Sequence, residues 1–203
     1  MKEFSHCIVT LIDLIGVRRL LKLGGPMAVK KMRHMHRTIN QNVGCFGSNT
    51  ELVFWNDSVL IHSIVEQSAE SYESSMLPII KLKASIDALH SSYAISVKGK
   101  SFPLIKIRKS GTGCRLVYLS ASSLAFTNCF DIEAELKTNS QFKNRRYGWY
   151  IDDRIIKRIC KKTTRPADDK YKFNLFPEGE KRFFHMFHGT FFGHELTPTH
   201  RLF

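Results

Sequence analysis

Apolar side chains, many of them β-branched, dominate the stretch from Phe4 to Leu14, which stops near Gly16. This pattern predicts a central strand buried on both faces, followed by a tight turn. Leu20 to Leu23 forms a short helical piece, broken by Gly24-Gly25. Pro26 suits a helix start, and Ala28, Met32, Met35, Ile39 and Val43 then recur at helical spacing, opposite Lys30, Lys31, Arg33 and Arg37. Glu51–Phe54 and Ser58–Ile64 read as two strands joined by Trp55-Asn56-Asp57, with Asp57 at the hairpin tip. A helical stretch from about Gln67 to His90 contains Pro78, which should kink or restart it. The order to this point is βααββα.

Further on, Tyr93–Val97, Leu104–Ile107 and Leu116–Leu119 read as strands, separated by turns at Gly99 and Gly111-Thr-Gly113. Ser120–Ser123 offers N-caps for a helix whose Ala125, Cys129, Ile132 and Leu136 share a face, ending near Lys137. Tyr147–Ile151 reads as an aromatic strand and Asp152–Lys162 as a basic helix. From Thr163 the chain is rich in Phe and His and has no clean period. The simplest architecture is an α/β (α+β) sandwich, ferredoxin-like, with an antiparallel-rich sheet and helices on one face. Residues 1–162 would form the main domain, and 163–203 an extension packed on it.

Two aspartates interrupt the apolar scheme: Asp13 inside the first strand and Asp57 between two apolar strands. A carboxylate buried in a sheet must be paired, neutralised or bound to a metal. Taken singly, each also suits a cap or a turn. Taken together, on strands that a βααββ order sets side by side, they should converge at one end of the sheet. Two hard oxygen ligands that leave positions open to water and phosphate suit Mg²⁺ or Mn²⁺ and phosphoryl chemistry. The turn from Leu14 to Val17 leads into a helix N-terminus, whose N–H groups can cradle phosphate.

Charge narrows the partners without choosing one. The net charge of +13 calls for polyanions, either nucleoside triphosphates or nucleic acid. Five scattered cysteines without a C-x-x-C pair indicate neither a disulfide framework nor a zinc site. No apolar run reaches membrane-spanning length and the N-terminus lacks a signal-peptide layout, so a cytoplasmic protein with no membrane partner is the expectation. His185, His188, His194 and His200 match no zinc spacing. Basic stretches at 143–146 and 157–162 lack the aromatic pattern of RNA-recognition modules, which makes nucleic acid the less favoured partner.

Leu11-Ile-Asp-Leu-Ile-Gly-Val17 resembles the F-x-D-I-x-G-F segment of class III nucleotidyl cyclases, and Asn56-Asp57-Ser58 resembles their G-D hairpin. The run from Leu119 to Glu133 is similar to the family's later substrate-binding helix, so the resemblance spans roughly residues 4–137. The Trp-Asn-Asp-Ser tip and the Ala-Phe-x-Asn-Cys-Phe-x-Ile-Glu helix look most like the Pycsar pyrimidine cyclases of bacterial antiphage defence.

The resemblance implies catalytic, metal-binding Asp13 and Asp57, a Leu14 carbonyl ligand, and phosphate contacts from Ile15, Gly16 and Val17. It further implies two divalent ions (Mn²⁺ or Mg²⁺), UTP ahead of CTP as substrate, and a homodimer with active sites at its interface. Val53 stands where purine cyclases place a lysine, and their adenine-reading carboxylate falls near Ser120. Asn128 is a candidate substrate contact, although Ile132 stands where the family's arginine would follow it. That cation is left to Arg115, Arg145 or Arg146. Trp55 and Phe54 are placed either to stack on a base or to pack in the core or a dimer interface. The competing reading is a nucleic-acid-binding or palm-like nucleotidyl-transfer domain.

Overall fold

The strand at Ser5–Leu14 (β1) is buried from Cys7 onward and forms the middle of the fold. The structure, a computed structural model, describes residues 4–103, 121–138, 148–159, 172–174, 182–186, 189–191 and 194–196. After β1 come helices α1 (Val17–Lys22) and α2 (Pro26–Asn42), the hairpin β2 (Thr50–Trp55) and β3 (Ser58–Val65), and helix α3 (Ala69–Asp87). Then follow β4 (Ser92–Pro103), β5 (Ala121–Ser122), α4 (Leu124–Thr138), β6 (Gly148–Asp152) and α5 (Asp153–Ile159). The last described elements are β7 (Lys172–Asn174), β8 (Arg182–Met186), β9 (Gly189–Phe191) and β10 (His194–Leu196).

The main sheet runs β2-β3-β1-β4-β6-β8-β7, with β5 paired to the end of β4, and β9 and β10 form a separate ladder. Only the β4–β6 pair is parallel among the described ladders. The antiparallel-rich α/β sandwich is therefore present. Strands β8 and β7 extend the main sheet beyond β6, in the region whose sequence carries no readable period.

The helices do not all lie on one face. One core gathers Ile8, Ile12, Met35, Ile39, Met76 and Ile155, so α2, α3 and α5 cover that side. The second gathers Val9, Leu11, Ile95, Ala125, Cys129 and Ile132, placing α4 on the opposite side. A strand apolar at successive positions demands cover on both sides, because its side chains alternate between faces. The unbroken run in β1 carried that requirement.

Gly99 departs from expectation, and Pro78 does not restart its helix. Gly99 does not end β4. A Cβ there would stand 2.7 Å from the Ala125 Cβ and 2.9 Å from the Ser123 Oγ, so its role is the close approach of α4. Helix α3 runs continuously through Pro78. The carbonyl four residues earlier, which loses its helical donor, belongs to exposed Ser74, while Tyr72, Met76, Ile79 and Leu82 keep the other face buried. The strands expected at 104–107 and 116–119, the turn at 111–113, Ser120, Arg115, Arg145 and Arg146 lie outside the described residues, as do the side chains of the C-terminal histidines.

Candidate active site

Register brings the two aspartates together. In the β1–β3 ladder Asp13 lies opposite Ser58, and the Leu14 N–H donates to the Asp57 carbonyl at 2.9 Å. Trp55 pairs with Ser58, so the hairpin closes over Asn56 and Asp57 alone, and Asn56 takes a left-handed φ of 48°. Asn tolerates that conformation better than most residues. The tip is tied down from α2: His36 Nε2 donates to the Asn56 carbonyl at 2.9 Å, and its ring meets Phe54 edge-on.

Asp13 is 6 % exposed and accepts a 2.5 Å hydrogen bond from Ser58 Oγ. Its second oxygen faces Lys137 Nζ at 3.9 Å, from the last turn of α4. Lys137 also pairs with Glu133 one turn earlier, and Glu133 accepts the Tyr93 hydroxyl at 2.6 Å. Tyr93 lies opposite Asp13 on β4. Asp13, Ser58, Tyr93, Glu133 and Lys137 thus form one polar cluster where α4 ends above the sheet.

This cluster leaves charge incompletely settled. Burial raises the Asp13 carboxyl to about 6, with Asp57 pushing in the same direction, against the hydrogen bonds from Ser58 and Tyr93 and the attraction of Lys137. Asp57, half-buried, is also raised, first by burial and further by Glu133. Tyr93 is raised too, by burial, then by Asp13 and Glu133, so it remains a hydroxyl. Two neighbouring carboxylates that both resist ionisation are poised to gain from a cation.

The other residues singled out in the sequence fall at different distances from this cluster. Ile15 donates its N–H to Ser91, Gly16 takes φ +86° at the start of α1, and Val17 is buried in the α2/α3 core. Val53 is half-buried and shares the Asp13 face, since it pairs with Leu60 of the α4-side core. Asn128 is half-buried on α4 beside Cys129, whose Sγ approaches the Val9 and Ile95 carbonyls at 3.6 and 3.9 Å. Those carbonyls belong to the neighbouring strands β1 and β4, the Val9 one four residues up β1 from Asp13. Sequence reading missed Tyr93, Glu133 and Lys137 as neighbours of Asp13. The four-residue spacing of Glu133 and Lys137 was the available signal.

No protein-family model and no curated protein matches the chain. Solved structures do. The guanylyl cyclase Cya2 superposes with a TM-score of 0.50 at 10 % identity, over 90 % of this chain and 91 % of that one. The non-canonical dimeric guanylyl cyclase domain of the RhoGC fusion protein from the aquatic fungus Blastocladiella emersonii gives 0.53 at 11 % identity, over 92 % and 98 %. At such identities the likeness shows the fold: the chain has the fold of class III cyclase domains.

Proposed function

We propose that the protein is a metal-dependent nucleotidyl cyclase that converts UTP or CTP to the 3′,5′-cyclic nucleotide and pyrophosphate, a second messenger for antiphage defence. The observation that carries this reading is the convergence of Asp13 and Asp57 on neighbouring strands, in a fold shared with guanylyl cyclase domains. Support for a pyrimidine comes from the sequence resemblance, while Val53, which offers no hydrogen bond to a base edge, argues against an adenine-specific site.

The residues fit a divalent cation. Asp13 and Asp57 supply hard anionic oxygens, and the Leu14 carbonyl follows in sequence. Among the described residues no cluster of three His, Cys, Asp or Glu side chains stands ready to hold a metal, so phosphate and water would complete the shell. When bound, divalent ions supply acidification of the ribose 3′-hydroxyl and neutralisation of the leaving pyrophosphate.

The chain's own groups do the positioning. Ser58 fixes the Asp13 carboxylate, and Tyr93 orients Glu133. Lys137 brings a positive charge to the site, while the Ile15–Val17 turn would contact phosphate, as the resemblance implies. The family resemblance also supports a homodimer with active sites at its interface, where Asn128 would contact the substrate.

The test is incubation with Mn²⁺ or Mg²⁺ and each labelled nucleoside triphosphate, followed by phosphatase. A phosphatase-resistant 3′,5′-cyclic pyrimidine nucleotide is expected. Absence of any cyclic product, together with salt-sensitive retention of single-stranded RNA, would favour the nucleic-acid reading instead.

A further inference from the structure

We infer that the α1–α2 hairpin is a docking surface for an anionic lipid bilayer. This inference does not depend on the cyclase reading. From residue 14 to residue 50 the chain has seven lysines and arginines and no aspartate or glutamate. The turn between α1 and α2 also projects aliphatic side chains: Leu21, Leu23 and Met27 are 50 %, 73 % and 58 % exposed. Beside them, Gly25, Pro26 and Val29 join Lys30, Arg33 and Arg37 around an open cavity of about 720 Å³. Those three cations fall at i, i+3 and i+7, so they line one stripe of α2.

An apolar tip rimmed by cations uses both of its features only against a surface that is itself apolar beneath an anionic layer. A second copy of the chain would bring the same seven positive charges against these. Nucleic acid would satisfy the cations, but its bases stack on aromatic rings, and no Phe, Tyr or Trp occurs between residues 14 and 45. Among the described residues no helix is long and apolar enough to cross a membrane, so the contact is a seated one in which Leu23 and Met27 enter the headgroup boundary. Lipid phosphates then lie against Lys30, Arg33 and Arg37.

The full chain is sedimented with phosphatidylcholine vesicles with and without phosphatidylglycerol. Binding is expected only to the phosphatidylglycerol vesicles and should weaken with salt. Lys30→Gln/Arg33→Gln/Arg37→Gln should lower partitioning roughly a hundredfold, at about fivefold per cation. Leu23→Asp/Met27→Asp should lower it at least about tenfold, and circular dichroism should show both variants folded. Absence of sedimentation with phosphatidylglycerol vesicles would overturn the inference. So would full binding by Leu23→Asp/Met27→Asp, which would mean that charge alone acts, or displacement of the vesicles by polyuridylate, which would give the surface to nucleic acid.

Discussion

Two aspartates end apolar strands in this protein and have opposite surroundings. Asp152, at the end of β6, is 4 % exposed, and Asp13, near the end of β1, is 6 % exposed. Asp152 accepts from the Lys98 and Arg154 backbone N–H groups, and the Arg154 guanidinium grips both of its oxygens at 2.6 to 3.1 Å. Asp13 has the Ser58 hydroxyl, a share of the Tyr93 hydroxyl that also serves Glu133, and a lysine 3.9 Å away, with a second carboxylate as neighbour. The first is a structural anion whose charge the fold has already met. The second keeps capacity for a ligand. Burial alone does not separate the two, but the completeness of their partners does.

The sharpest way to break the comparison is to remove each carboxylate in turn. Asp13→Asn and Asp57→Asn should each lower cyclase turnover by about a thousandfold or more, because several kcal/mol of transition-state stabilisation would depend on the metal they are proposed to hold. Quantified cyclic nucleotide formed per unit time checks this. Asp152→Ala should instead cost roughly 2–3 kcal/mol of stability by stranding the Lys98 N–H and breaking the charge-assisted hydrogen bonds to Arg154, with turnover per folded molecule retained. Urea titration measures that loss.

The effect of Asp13→Asn on stability should run the other way. With the native carboxyl raised to about 6 from 3.8, the fold favours the protonated form. The stability this confers is present below about pH 4 and is lost as pH rises through about 6. Metal-free Asp13→Asn should therefore exceed wild type by on the order of 2 kcal/mol at neutral pH and gain nothing below pH 4. Thermal melts across pH will show it, and added Mn²⁺ should restore the wild type alone. The smallest effect concerns the seat of α4, which delivers Glu133 and Lys137: Gly99→Ala should cost about 1–2 kcal/mol, read from the same melts, because Ala125 and Ser123 must move.

Much of this layout is legible in the sequence. The double-sided apolar run of β1, the two-strand hairpin and the helical spacing of Ala125, Cys129, Ile132 and Leu136 each correspond to an element, because periodicity reports burial directly. Asp13 and Asp57 stand out for the same reason: polar residues in apolar runs are visible. Asp152 follows such a run as well, and only its tertiary partners show that it is satisfied. Tyr93, Glu133 and Lys137 could not be attached to Asp13 in advance, since their meeting depends on which face α4 occupies. Gly99 reads as a turn because a sequence does not distinguish a required φ from a required absence of Cβ. The strands of the Phe/His-rich tail are three to five residues long, too short for a period to register.

The most direct test compares Asp13→Asn with Asp152→Asn in one assay: cyclic nucleotide formed from UTP and from CTP with Mn²⁺, per mole of folded protein. Cyclic product from wild type and Asp152→Asn but not from Asp13→Asn is the predicted result. Equal product from both variants, or none from wild type, would contradict the assignment of Asp13 as the carboxylate held in reserve for chemistry.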